Sequence, residues 1–264
     1  MKIAFIGSGF MAGAMMDGIV KGGVAKGEDI FAVNEAFPES AEEAAKKYGV
    51  IHAAPEDIKK CDVVVFGVKP QVFDEAVTMY GEYFTPDKLY LSIMAGISTA
   101  RLESVLHGAR VVRFMPNLAL SVGKSATAYC LGSKSGEAEA NIAETIFSPL
   151  GIVKRVDEDM IGTVTALSGS GPAYFCRLCE AMADSAVKLG MDPDTARELA
   201  VQTLLGTAKI IGDTGVSPDE LRVRVTSKKG TTEAALNAMT ETKFDESVDA
   251  AVRAAKQRSD ELGK

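Results

Sequence analysis

The sequence has no tryptophan and only two histidines, His52 and His107, among 264 residues. Two histidines so far apart argue against a histidine-based zinc enzyme. Cysteine is also scarce. Cys61, Cys130, Cys176 and Cys179 lack the dense spacing of a secreted disulfide framework, so a reducing, cytoplasmic setting is expected. Cys176 and Cys179 have C-x-x-C spacing, but no second pair accompanies them and they lie inside a helical pattern. They read as a buried helix pair, not a redox or metal motif. There is no basic excess: 29 Lys+Arg face 36 Asp+Glu, a net charge of −7. That argues against nucleic acid as a partner, which requires a basic face. No run of about 20 apolar residues exists to span a membrane. The apolar run at Met1–Gly7 is too short for a signal peptide. Tandem repeats and low-complexity stretches are lacking too.

What is present is globular. Hydrophobic residues make up 47% and charged residues 25%, enough for a core without staples. The length suits one large or two ordinary domains. Short Val-, Ile- and Phe-rich runs at 2–6, 30–33, 63–66, 89–93, 111–115, 126–130 and 152–156 read as buried strands. Helical patterns at 11–21, 39–48, 71–83 and 99–106 alternate with the early ones. This β-α-β alternation predicts an α/β fold with a doubly wound sheet. After Asp157 strand-like runs nearly vanish. Helical spacing continues from Pro172, from Ala196 to Ile211, and through 218–225, 232–239 and 244–262. A boundary near 155–159 would divide residues 1–156 from an all-helical part, 157–264.

Gly7-Ser8-Gly9-Phe10-Met11-Ala12 fits G-x-G-x-x-A between a strand and a helix. The first glycine permits the turn and the second lets backbone approach a pyrophosphate. The small third residue lets helix pack on strand, and the helix N–H groups face the phosphates. This context points to dinucleotide binding. The second strand ends at Asn34-Glu35, where an acid commonly takes the ribose 2′-OH of NAD. Asn34 suits a 2′-phosphate. Glu35 would repel one if it pointed inward, so NADPH and NADH both stay open. Gly67-Val68-Lys69-Pro70 ends the next strand of the sheet, where ligands sit in this architecture, although a surface lysine is equally expected there.

Two helix starts in the second part are rich in donors. Ala166–Tyr174 places Ser, Gly and Pro before a long helix, the ordinary chemistry of a helix start. Thr226-Ser227-Lys228-Lys229-Gly230-Thr231-Thr232-Glu233 offers hydroxyls and free N–H groups suited to a small carboxylate, or to simple capping.

Together these residues carry a resemblance. Gly7–Ala12, Val68-Lys69-Pro70, Met115-Pro116-Asn117, Ala166–Tyr174, Gln202-Thr203 and Ser227–Thr232 resemble pyrroline-5-carboxylate reductases in order and spacing along nearly the whole chain. The Leu-Ser-Gly-Ser-Gly-Pro-Ala-Tyr stretch is the most specific piece. The resemblance implies a Rossmann-type domain followed by an all-α dimerisation domain, in homodimers that assemble further into decamers. It implies reduction of 1-pyrroline-5-carboxylate to L-proline, the last step of proline biosynthesis, with NADPH or NADH. In this sequence it places the dinucleotide on Ile6, Gly7, Ser8, Gly9, Phe10, Met11, Asn34, Val68, Lys69, Pro70, Ala95 and Gly96, the last two on the nicotinamide side. It places the imino-acid substrate near Asn117, Glu158, Ser227, Gly230, Thr231 and Thr232. No metal is implied.

Two departures stand out. The family's substrate loop usually reads Ser-Pro-Gly-Gly-Thr-Thr, whereas here Lys228 and Lys229 replace Pro and Gly. Leu118 stands where Thr usually follows Met-Pro-Asn. Hydride transfer to a protonated imine needs little acid catalysis, which agrees with the lack of a candidate histidine. Thr232 is the residue best suited to hydrogen-bond the imine nitrogen. Two other readings predict different behaviour. A related imine or 3-hydroxyacid dehydrogenase would use Lys69 or a lysine of the helical part as an acid, and a non-catalytic dinucleotide regulator would bind without turnover.

Overall fold

The apolar runs become strands because their residues face helices on both sides of one sheet. The computed structural model describes residues 1–263. Strands β1 (Ile3–Ile6), β2 (Ile30–Val33), β3 (Ile51–His52), β4 (Val63–Phe66), β5 (Leu89–Ser92), β6 (Arg110–Met115), β7 (Ser125–Leu131) and β8 (Gly151–Arg155) form an eight-stranded sheet in the order β3-β2-β1-β4-β5-β6-β7-β8. The first six lie in the order 3-2-1-4-5-6 and are parallel. This is the dinucleotide-fold arrangement, with its crevice where the order reverses. One edge of the doubly wound sheet departs from the parallel arrangement. β7 runs antiparallel to β6 and β8 runs parallel to β7.

Side chains alternate across the sheet with a period of two. On one face Ile3, Phe5, Val65, Leu91 and Phe114 pack against Met15, Met16 and Ile19 of α1 (Phe10–Lys21). Phe114 also stacks on Phe147 of α5 (Glu137–Phe147), with ring centroids 3.7 Å apart. On the other face Ile6, Val64, Phe66 and Tyr90 pack against Phe73 of α3 (Phe73–Tyr80) and Leu102 of α4 (Thr99–Val105). Each such side chain contributes about 1.5–3 kcal/mol by leaving water. The second helix, α2 (Pro38–Tyr48), ends at Gly49 in the left-handed region. The pattern at 71–83 splits into a 3₁₀ turn at Pro70–Val72, then α3, then a 3₁₀ turn at Gly81–Tyr83. Neither α5 nor the two-residue β3 was expected.

Beyond β8 a 3₁₀ turn (Glu158–Met160) leads into α6 (Ile161–Val164), and a π-helical segment (Thr165–Gly169) runs into α7 (Gly171–Lys188). The Ser- and Gly-rich stretch is thus wound helix, not an open turn. Ser168 Oγ donates to the Val164 carbonyl at 3.1 Å. The remaining helices are α8 (Pro193–Thr214), α9 (Pro218–Arg224), α10 (Thr231–Glu241) and α11 (Phe244–Leu262).

The chain divides into two compact units. One comprises Met1–Ser170 together with the residues from Ala255 onward, and the other comprises Gly171–Ala254. Contacts therefore carry the first unit past the composition change at 155–159 and add the end of α11 to it. In the second unit only Gly171, Ala196, Ala200 and Val216 are buried. Phe175, Leu178, Met182, Leu199 and Leu205 are exposed. Such a unit has almost no core of its own and presents an apolar surface. Cys176 is exposed and Cys179 half-buried, so in the single chain they are not the buried pair expected.

Candidate active site

The site begins where β1 turns into α1. Gly7 sits at φ +94°, and a Cβ there would fall 2.9 Å from Val68 Cγ1 and 3.0 Å from the Gly67 carbonyl carbon. Both the conformation and the close approach require glycine. The Gly7 N–H donates to the Val33 carbonyl at 2.9 Å, tying the turn to β2. Gly9 is the N-cap of α1 and has no side chain to cap it; nothing lies within 4 Å of where its Cβ would be. The first-turn N–H groups of α1 therefore lack a side-chain acceptor, and the space beside Gly9 is open. Their partial positive charge suits a pyrophosphate. The residues present thus fit a dinucleotide. Ile6, wholly buried, can offer only backbone.

Beside this turn lies a polar cluster. Ser8 Oγ is 2.8 Å from Ser40 Oγ and accepts from Asn34 Nδ2 at 3.1 Å. Asn34 Oδ1 accepts from the Phe37 N–H at 3.2 Å. The Glu35 N–H donates to the Tyr80 hydroxyl at 2.9 Å, while Glu35 itself is exposed. Burial pushes the Tyr80 hydroxyl above its ordinary pKa. Ser40 and Tyr80 were not singled out from sequence. A serine in the first turn of the helix after β2 was the available signal for Ser40, whereas Tyr80 arrives from α3 by folding alone.

The other dinucleotide candidates follow β4 and β5 on the same sheet edge. Lys69 is exposed, and its ammonium has no partner among the described residues. Val68 and Pro70 are half-buried beside it. Ala95 is exposed, and Gly96 sits at φ +77°. All twelve candidates gather on the carboxyl-end loops of β1, β2, β4 and β5, next to one another in the sheet.

Asn117 and Glu158 lie further along the same unit, and both are engaged. Asn117 Oδ1 accepts from the Ala119 N–H at 3.1 Å, and Nδ2 donates to the Ser168 carbonyl at 3.0 Å. Leu118, the residue that departs from the family pattern, is exposed. Glu158 forms an ion pair with Arg113, a residue sequence reading passed over. It also accepts from the Cys130 thiol at 3.0 Å and the Thr99 N–H at 3.4 Å. Burial would raise the Glu158 carboxyl. The Cys130 and Thr99 donors and the Arg113 charge outweigh it, holding the carboxyl below its usual value. Burial, reinforced by Glu158, pushes the Cys130 thiol strongly up, so it stays protonated.

The helical unit carries the remaining candidates. Gly230 caps α10 through backbone only, and the hydroxyls of Ser227, Thr231 and Thr232 have no partner among the described residues. Lys229 sits at φ +61°, and its N–H donates to Glu233 Oε2 at 2.7 Å. The turn that a glycine would form freely is therefore kept with lysine in the left-handed region.

Comparison with known proteins agrees with this geometry. Residues 158–262 match the family described as pyrroline-5-carboxylate reductase dimerisation, and residues 2–96 match NADP oxidoreductase coenzyme F420-dependent. Pyrroline-5-carboxylate reductase of Pseudomonas aeruginosa is 39% identical over 99% of this chain and 96% of its own. The chain belongs to the pyrroline-5-carboxylate reductase family. A solved pyrroline-5-carboxylate reductase from Coxiella burnetii aligns with a TM-score of 0.91 and 34% identity over 100% of this chain and 98% of its own. A Plasmodium falciparum pyrroline carboxylate reductase with NADP bound aligns with a TM-score of 0.85 and 26% identity, covering 100% and 98%. Membership in the family makes the chain an oxidoreductase that uses a nicotinamide dinucleotide. The core-poor helical unit falls within the residues matched to the dimerisation family.

Proposed function

We propose that the protein reduces 1-pyrroline-5-carboxylate to L-proline with a hydride from NADPH, as the last step of proline biosynthesis in the cytoplasm. The observation that carries the reading is the uncapped start of α1 behind Gly7, an anion cradle flanked by the Asn34–Ser8–Ser40 cluster. Bound there, the nicotinamide dinucleotide supplies the hydride. The chain's own residues bind and orient. Backbone N–H groups from Ser8 to Met11 hold the pyrophosphate. Asn34 Nδ2 and the two serine hydroxyls are donors, which suits a 2′-phosphate better than a 2′-OH. Val68, Lys69 and Pro70 line one wall of the crevice, and Ala95 and Gly96 border the nicotinamide ring.

In the helical unit the first-turn N–H groups of α10 and the free hydroxyls of Ser227, Thr231 and Thr232 take the substrate carboxylate. The Thr232 hydroxyl hydrogen-bonds the ring nitrogen. A protonated imine is already electrophilic, so positioning supplies most of the rate. Asn117 and Glu158 border the substrate through the backbone and Arg113 they hold. The carbonyl-reducing alternative needs a positioned acid, and the exposed Lys69 does not serve as one. Two chains pair through the apolar faces of α7 and α8, and five such dimers make the decamer.

The test is the oxidation of reduced cofactor with pyrroline-5-carboxylate, run with NADPH and NADH. Proline formation is expected. A preference for NADPH of about tenfold or more is expected from hydrogen bonds to the charged phosphate. Binding of dinucleotide without turnover would overturn the reading in favour of a regulator.

A further inference from the structure

The loop that carries Ala95 and Gly96 is held from behind by parts of the chain far away in sequence. It leaves β5 at Ser92, whose Oγ accepts from the Met94 N–H at 3.2 Å, and it enters α4 through the Ser98 cap. Between these anchors Gly96 is in the left-handed region. A Cβ on Gly96 would lie 2.8 Å from the Leu262 carbonyl oxygen and 3.3 Å from its carbon. The end of α11 is thus packed on the loop's backbone. A second contact fixes that end: a Cβ on Gly162, in α6, would fall 2.6 Å from Asp260 Oδ1. Asp260 is itself held by Lys256 at 2.7 Å. The far side of the loop is fixed by the bond from the Thr99 N–H to Glu158.

We propose that the last turn of α11, Asp260–Leu262, is a positioning element for the nicotinamide end of the cofactor crevice. It sets the Ala95–Gly96 backbone against which the ring rests. The last turn of α11 belongs to the sheet-containing unit, so the loop proposed to orient the ring is braced by residues far from it in sequence, Asp260 and Leu262. Met94 is buried and Ile97 packs on the core, but Ala95 is exposed and Gly96 has no side chain to anchor it, so that pair would otherwise sample several conformations. The brace removes that freedom before cofactor binds, a preorganising effect. This inference rests on the reading of Ala95 and Gly96 as the nicotinamide side.

The test compares NADP⁺ with 2′-phospho-ADP-ribose, which has the adenosine and phosphates but no nicotinamide. Both are titrated into the full oligomeric protein, into a chain ending at Glu261, and into Gly96→Ala in each background. Truncation is expected to weaken NADP⁺ by about tenfold while 2′-phospho-ADP-ribose changes by less than about twofold. Gly96→Ala is expected to do less harm in the truncated chain, where the carbonyl it strikes is gone. Should truncation compromise folding, full-length Gly162→Ala displaces the same turn; it is expected to weaken NADP⁺ alone, with Asp260→Ala in the same chain restoring it. Unchanged NADP⁺ affinity, strict additivity, or equal loss of both ligands would overturn the proposal. Failure of the unaltered protein to bind either ligand would instead overturn the dinucleotide reading on which it rests.

Discussion

At the residue scale, three side chains carry separable expectations. Asn34 donates to Ser8 at the edge of the phosphate cradle. Under the proposed NADPH reading, Asn34→Asp would place a carboxylate beside the proposed 2′-phosphate position. The ratio of kcat/KM for NADPH over NADH is expected to fall by about a hundredfold, since a repelled phosphate loses roughly 2–3 kcal/mol of charged hydrogen bonding. Parallel cofactor titrations check this. Lys229 holds a left-handed conformation that costs a side chain about 1 kcal/mol, so Lys229→Gly is expected to stabilise the fold by up to that amount in urea melts. Thr232→Ala removes an unpartnered hydroxyl from the start of α10 and is expected to lower kcat/KM by about a hundredfold with little change in stability. Sequence gave warning of all three positions, because each lies inside a motif or breaks one. It gave none for Arg113, a lone strand residue with no motif around it.

At the scale of elements, the Arg113–Glu158 pair ties β6 to the turn before α6. Arg113 is buried, and its Nε has no partner among the described residues, so its charge relies on Glu158. Glu158→Gln is expected to destabilise the protein by about 2–3 kcal/mol. That lies below the 3–5 kcal/mol of a fully enclosed pair, because the Glu158 side chain is 36% exposed and solvent screens it. The carboxyl titrates below its usual 4.5 in the folded chain. Its contribution is therefore present above the unfolded value and is lost as pH falls through the lower folded one. Urea midpoints measured from pH 7 to pH 3 should fall more steeply for the unaltered chain than for Glu158→Gln. The elements themselves were legible where apolar runs were continuous. β3 escaped notice because two exposed residues have no periodicity, and α5 because its small alanines give a weak apolar stripe.

For the whole molecule, the informative quantity is the contrast between the two units. The sheet-containing unit buries Phe5, Phe66, Phe114 and Tyr90 completely, while the helical unit leaves Phe175, Leu178 and Met182 in solvent. Apolar helices of this kind are stable only when a second surface covers them. Sedimentation equilibrium is expected to find no populated folded monomer at micromolar concentration. Leu178→Glu with Met182→Glu, charges placed on α7, is expected to dissociate the oligomer and lower its melting temperature. A folded monomer of unaltered stability would contradict this.

The order of apolar runs, the glycine spacing of the first turn and the change to helical periodicity after Asp157 determined by themselves a doubly wound first part and a helical second part. Each of these is a local pattern, written into consecutive residues by the periods of strand and helix. What only tertiary structure decided is non-local. The reversal of β7 against β6 depends on which edge was free beside the six parallel strands. The meeting of Ser8, Ser40 and Asn34 depends on how α2 packs beside the β1 turn. The capture of Glu158 by Arg113, and of Gly96 by the Leu262 carbonyl, joins segments whose sequence separation leaves no periodic trace. Such contacts arise from close packing in three dimensions, where a neighbour is defined by space and not by position along the chain.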